Sequence, residues 1–237
     1  FASIVFVVIV PVLTMRTLSE ERKQKTDQLL YSLPISTTQV ILGKYAALLL
    51  VFLIPLCFVA LYPLLFSQFG EVYLPTAYGS LFAFFLLGAA LIAVGVFLSS
   101  LTDNQGLAAG LGIGAILLNY YSVSLSEYVS STAIGSLVTF AVLIVCLGLI
   151  IRALTRNDML SIAVGLVLLA ALIGVYALDG TALEGLLPDI MKTLSLFSRF
   201  SVFVNGVFDL TGVAYFLSVT VFFLFLAVQS MEKRRYN

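Results

Sequence analysis

The chain has 237 residues, of which 61 % are hydrophobic and 10 % charged, with no formal net charge. Soluble domains average roughly 45–50 % apolar and about 25 % charged residues, so together with a mean hydropathy of +1.13 these values exclude an ordinary soluble protein and predict a polytopic membrane protein. A neutral total excludes a net-charge argument for a nucleic-acid partner, and none is expected; what informs is where the charges lie.

In chain order, seven apolar stretches are long enough, or nearly so, to cross a bilayer: 1–15, 38–66, 78–100, 105–123, 132–151, 159–178 and 212–231. A span needs about 20 apolar residues, and only helices satisfy a backbone in lipid without a closed barrel. The expectation is an all-α membrane helix bundle forming one transmembrane domain over 1–237. The first stretch is short and has no basic flank or cleavage site, so it reads as the second half of a hairpin whose first helix is missing. The second stretch is over-long and has Pro55 and Pro63 as places to bend. Cys57 and Cys146 lie mid-run and read as small apolar residues.

The connections fall on two sides. One side holds Arg16, Arg22, Lys23, Lys25, Arg152, Arg156, Lys233, Arg234 and Arg235, with Lys44 near enough to snorkel to it. The other holds only Lys192 and Arg199. The positive-inside bias places the first side, including the C-terminus, in the cytoplasm. No span carries an ionisable residue at its middle, which argues against a proton-coupled carrier. His is absent, metal-ligand clusters and nucleophile–base pairs are missing, and no catalytic or metal site is expected.

The charged segment 17–34 reads as a short amphipathic helix. Thr17 and Glu20 have capping-box spacing, Glu20 and Glu21 suit the first turn, Glu21 and Lys25 are spaced for an ion pair, and Pro34 stops the helix. Leu18, Leu29, Leu30 and Leu33 supply an apolar face, and Ser36 with Gln39 restarts the chain as a helix entering the membrane. Such a segment can lie on lipid headgroups or dock a protein. Further along, Thr102, Asp103 and Asn104 form a tight turn that can cap the next helix or make a second contact. Gly106, Gly110 and Gly114 form a small-residue ridge for helix packing rather than a nucleotide loop; no P-loop motif occurs. The segment 179–211 reads as an amphipathic or re-entrant stretch on the far side, where Phe197, Phe200, Phe203 and Phe208 are membrane anchors or lid residues.

Three blocks resemble ABC exporter permeases of the type-2 superfamily: PVLTMRTLSEERKQKTDQLLYSLPISTTQVILGKYAALL, GAALIAVGVFLSSLTDNQGLAAGL and, at the C-terminal end, LSLFSRFSVFVNGVFDLTGVAYFLSVTVFFLFLAVQSMEKRRYN. The last is similar to the subgroup first described in gliding motility. The resemblance implies a transport subunit rather than an enzyme, in a bacterial cell membrane, paired with a second permease subunit. ATP and Mg would sit on a separate P-loop ATP-binding subunit, with no cofactor on this chain. It also implies that 17–34 is a coupling helix, with Glu20, Glu21, Arg22 and Thr26 at the contact, Leu29, Leu30 and Leu33 as apolar anchors and Pro34 as the exit. The aromatic segment would close the outward end of the pathway. Residues 132–178 depart from the pattern as an added helical hairpin. A secondary transporter, or a non-transporting membrane scaffold or sensor, stays open as a rival.

Overall fold

The computed structural model describes residues 2–26, 35–129, 131–155, 158–178 and 183–235. The described helices, in order, are α1 (Ala2–Thr14), α2 (Ser19–Lys23), α3 (Thr37–Val59), α4 (Tyr62–Phe66), α5 (Leu74–Leu101), α6 (Gln105–Tyr128), α7 (Ala133–Thr155), α8 (Asp158–Leu178), α9 (Leu186–Leu194), α10 (Leu196–Val204) and α11 (Leu210–Arg235). No strand occurs among the described residues. Four stretches are long and apolar enough to cross a membrane: Thr37–Phe66, Leu74–Leu101, Gln105–Tyr128 and Leu210–Lys233. Shorter apolar stretches, Ala133–Val145 and Ile162–Leu178, belong to α7 and α8. Large apolar side chains stand exposed at helical spacing: Leu50, Ile54 and Phe58 on α3, Ile134, Val138 and Val142 on α7, Ile162 and Leu166 on α8. Water would penalise such stripes and lipid does not, so the molecule is a membrane helix bundle.

The chain divides into two compact units, Phe1–Tyr120 with Leu196–Asn237, and Tyr121–Ser195. In the first, α5 is the axis: α1, α3, α10 and α11 all pack on it. Its most apolar window is 61 % buried, against 11 % for the stretch containing α3. The composition explains why. Gly88, Ala89, Ala90, Ala93 and Gly95 keep the helix narrow, and close backbone approach is how helices associate where lipid removes the hydrophobic driving force. A Cβ on Gly88 would collide with the Phe52 ring and stand 3.1 Å from Phe6; one on Gly95 would collide with Thr14, whose Cβ is 2.8 Å away. Phe6, Phe52 and Phe84 form an aromatic cluster around the first of these notches.

The long second stretch breaks at Ala60–Leu61, between α3 and α4, with Pro63 in the first turn of α4. Pro55 lies inside α3, which continues past it. The predicted capping box at Ser36 is formed: Ser36 Oγ accepts from Gln39 N (3.2 Å) and Gln39 Oε1 accepts from Ser36 N (3.1 Å). The stretch 179–211 is not one element. Its described part holds α9, in the second unit, and α10, in the first. α10 ends in a Schellman motif, with Gly206 N donating to Phe203 O (3.0 Å) and Val207 N to Val202 O (3.3 Å). Gly206 sits at φ +86° there, a conformation that favours glycine.

In the second unit, α7 and α8 pack on each other as a helical hairpin. Within the first unit the chain leaves and returns at one place. Asn119 Oδ1 accepts from Leu196 N (3.0 Å), and the Tyr120 and Phe197 rings meet edge to face at 5.2 Å.

Candidate functional site

Polar contacts in the first unit gather where the charge count puts the basic residues. Thr37 Oγ1 donates to Glu232 Oε1 (2.9 Å), joining the start of α3 to the end of α11, and Ser230 Oγ donates to Ser100 O (3.1 Å), joining α11 to α5. The charged segment after α1 lies in this cluster, packed against α5.

That segment differs from its sequence reading in three ways. Among the described residues the helix covers Ser19–Lys23, and Lys25 takes φ +57°, which a non-glycine residue adopts at a penalty. Leu29, Leu30, Leu33 and Pro34 lie outside the described residues. Second, the Thr17–Glu20 capping box does not form: the N-cap is Leu18, without a side-chain cap of its own. A hydroxyl from another helix takes that place. Ser99 Oγ, fully buried near the end of α5, accepts from the amides of both Leu18 and Ser19 (3.2 Å each) and donates to Met15 O (3.3 Å). Third, Glu21 forms its ion pair with Lys44 of α3, rather than with Lys25. Lys44 Nζ also donates to Thr17 O (2.8 Å), so it is tied to the segment instead of snorkelling free.

The remaining predicted residues sort by burial. Leu18 is 2 % exposed and belongs to the chain's own core, so it presents no apolar face to a partner. Arg22 is likewise buried, its guanidinium 4.0 Å from Asp103 Oδ1, while the Asp103 side chain is 59 % exposed. A buried guanidinium needs a counter-charge, so two stretches predicted separately, 20–26 and 102–104, meet. Glu20 is half-buried and accepts from Gln24 Nε2 (3.3 Å). Thr26 closes the turn, its amide (2.9 Å) and its hydroxyl (3.2 Å) both donating to Glu21 O. Lys23, Gln24 and Lys25 face outward. In the neighbouring turn Asn104 Oδ1 caps α6 by accepting from Gly106 N (2.9 Å) and Leu107 N (3.4 Å), and Thr102 Oγ1 accepts from Asn104 N (3.2 Å).

Among the described residues the glycine ridge packs against no other helix. A Cβ on Gly110 or Gly114 would meet nothing within 4 Å, and one on Gly106 only Asn104 Oδ1 at 3.4 Å. Gly112 makes the close approach instead, 3.2 Å from Pro11 of α1. A four-residue repeat marks a face, but only the fold says which face meets a helix.

The four phenylalanines lie at the other end. Phe197 and Phe203 are buried, Phe200 packs on Phe84 (5.9 Å), and Phe208 is 62 % exposed, stacked on Phe82 (6.4 Å) and edge-on to Phe203 (5.6 Å). Three of them are therefore packing residues and only Phe208 faces outward. A cavity of about 180 Å³ lies here, lined by Tyr73, Thr76, Gly79, Phe203, Gly206 and Phe208 among others. Beside it Asp209 caps α11: its carboxylate accepts from Thr211 Oγ1, Thr211 N (2.9 Å) and Gly212 N (3.1 Å). The Thr211 hydroxyl, both amides and the Arg199 charge hold that carboxyl below its ordinary pKa, against an opposing desolvation. Arg199 itself stands over the Tyr215 ring at 5.9 Å.

The sequence reading missed Ser99, because its partners lie 80 and 81 positions away. Asp209 was legible: an acid one residue before an apolar run is a cap signal. Among the described residues no group of His, Cys, Asp or Glu could hold a metal ion.

No curated protein and no solved structure matches the chain significantly. A family model described as ABC-2 family transporter protein matches residues 1–124. The matched region takes in α1, α2, α3, the axial helix α5 and the 101–104 turn, which build the polar cluster together with the end of α11. Since it spans just over half of the 237 residues, the chain belongs to the ABC-2 transporter family and is a multi-pass membrane permease subunit of an ABC transporter.

Proposed function

We propose that this permease serves an ATP-driven exporter of the gliding-motility-like subgroup in a bacterial cell membrane. The basic end faces the cytoplasm, C-terminal residues included, and receives a separate P-loop ATP-binding subunit that carries ATP and Mg. Two permease subunits would form the path. One observation supports the contact above all: α2 is buried on one side by Leu18, Ser19 and Arg22 and presents Lys23, Gln24 and Lys25 on the other, with Glu20 between. A lipid anchor would turn its leucine outward. This helix turns leucine inward and charge outward, which suits a polar cleft of a protein. The exposed Asp103 carboxylate beside it extends the same surface.

The test is co-purification of the chain, tagged, with P-loop ATP-binding subunits of its own host cell. Reversing Glu20 and Lys23 should cut recovery of the ATPase at least tenfold while leaving the permease monodisperse. Unchanged recovery would refute the contact. Reversal at Glu21 or Arg22 is the poorer experiment, because both hold the segment to the chain's own spans.

A further inference from the structure

α5 meets the first part of the chain along a single stripe. Gly88 receives Phe52 of α3 and, less closely, Phe6 of α1, Gly95 receives Thr14, and Ser99 receives Met15, Leu18 and Ser19. The spacings of seven and four residues keep all three positions on one helix face. The first two contacts are notches that admit no Cβ without movement; the first is filled mainly by α3 and the second by α1, which is fixed against α5 at Thr14. At the third the contact changes from packing to hydrogen bonding. The first amides of a helix have no partner inside it and, when buried, must find one elsewhere. α2 takes its cap from a span, not from its own Thr17. From the other side Lys44 of α3 holds both the carbonyl just before α2 and the carboxylate of Glu21.

We infer that Ser99 and Lys44 are positioning residues that join α2 to the axial helix α5 and to α3 as one body, so that displacement of α2 is delivered to the spans. The inference rests on the reading of α2 as the ATPase contact, and it adds the residues through which the motion passes. A segment held only by its chain ends could be pushed without moving α5. A segment whose N-terminal amides are bonded to α5 cannot leave without exposing two buried amides and one carbonyl.

The full chain in lipid nanodiscs, co-expressed with the ATPase recovered by the co-purification above, tests this. Two measurements are made on wild type, Ser99→Ala, Ser99→Thr and Lys44→Met. One is hydrogen exchange of residues 15–23. The other is the ATP-dependent distance between spin labels at Phe69→Cys and Val207→Cys, both exposed at the opposite end, with Cys57 and Cys146 replaced by Ala. In Ser99→Ala, exchange at Leu18 and Ser19 should quicken about tenfold, as loss of their hydrogen bonds requires. The complex should still hydrolyse ATP while the distance change disappears, and Ser99→Thr, which keeps the hydroxyl, should restore it. Wild-type exchange, or a wild-type distance change, in Ser99→Ala overturns the proposal. If that variant does not fold, Lys44→Met decides by the same two criteria. Failure of any ATPase to co-purify with wild type would sink the docking reading alone, and the exchange comparison would still decide whether Ser99 fastens α2.

Discussion

At the scale of single residues, the notches on α5 carry the sharpest expectation. Gly95→Ala places a methyl against Thr14, and neither helix has room to yield. Overpacking of this kind costs about 1–3 kcal/mol, so the variant should melt several degrees lower in a detergent thermal-shift assay. Gly110→Ala meets nothing and replaces a poor helix former with the best one, a gain of up to about 1 kcal/mol; its melting temperature should stay level or rise. Equal behaviour of the two variants would mean that α5 is not the packing axis. Asp209 gives a pH expectation. Its folded pKa is depressed, so its contribution is present above the ordinary carboxylate range and is lost as pH falls through the folded value. Between neutral pH and about pH 3 the wild type should therefore lose more stability than Asp209→Ala, as melting curves at stepped pH would show.

At the scale of elements, α2 shows how a weak local signal is overruled. Five residues cannot sustain a helix in isolation. The expected capping box and i,i+4 pair were sound local chemistry, yet a buried serine on α5 and a lysine on α3 offered the same groups partners inside a drier environment. Lys25 ends the element in a left-handed conformation. Lys25→Gly should remove that penalty of about 1–2 kcal/mol and raise the melting temperature, provided the turn is as rigid as its two bonds to Glu21 O suggest. A fall would show that the turn is not held in this conformation. The aromatic stretch behaves in the same way: its composition marked it as amphipathic, but α10 buries Phe197 and Phe203 in the bundle and leaves Phe208 at the surface.

At the scale of the whole molecule, the second unit reads as an insertion. Its ends leave and rejoin the first unit beside the Asn119–Leu196 hydrogen bond, and the family match stops at residue 124. It contains the hairpin of α7 and α8. Replacing residues 121–195 by a short Gly/Ser linker should give a first unit that still inserts and elutes as a single species in fluorescence-detected size exclusion. Aggregation of that variant would show that the first unit depends on the second.

The sequence by itself determined the class and located the four long apolar helices, because hydropathy acts on the chain segment by segment and needs no partner. It located the charged segment and the 102–104 turn, and it found the Ser36 cap, whose two groups lie three residues apart. Only the tertiary structure decided which glycines face a neighbour, which side of α2 is buried, and that Arg22, Asp103, Lys44 and Ser99 belong to one cluster. Those pairings join residues 23 to 81 positions apart. Their geometry exists only once α5 has been narrowed by its small residues and the other helices have closed around it.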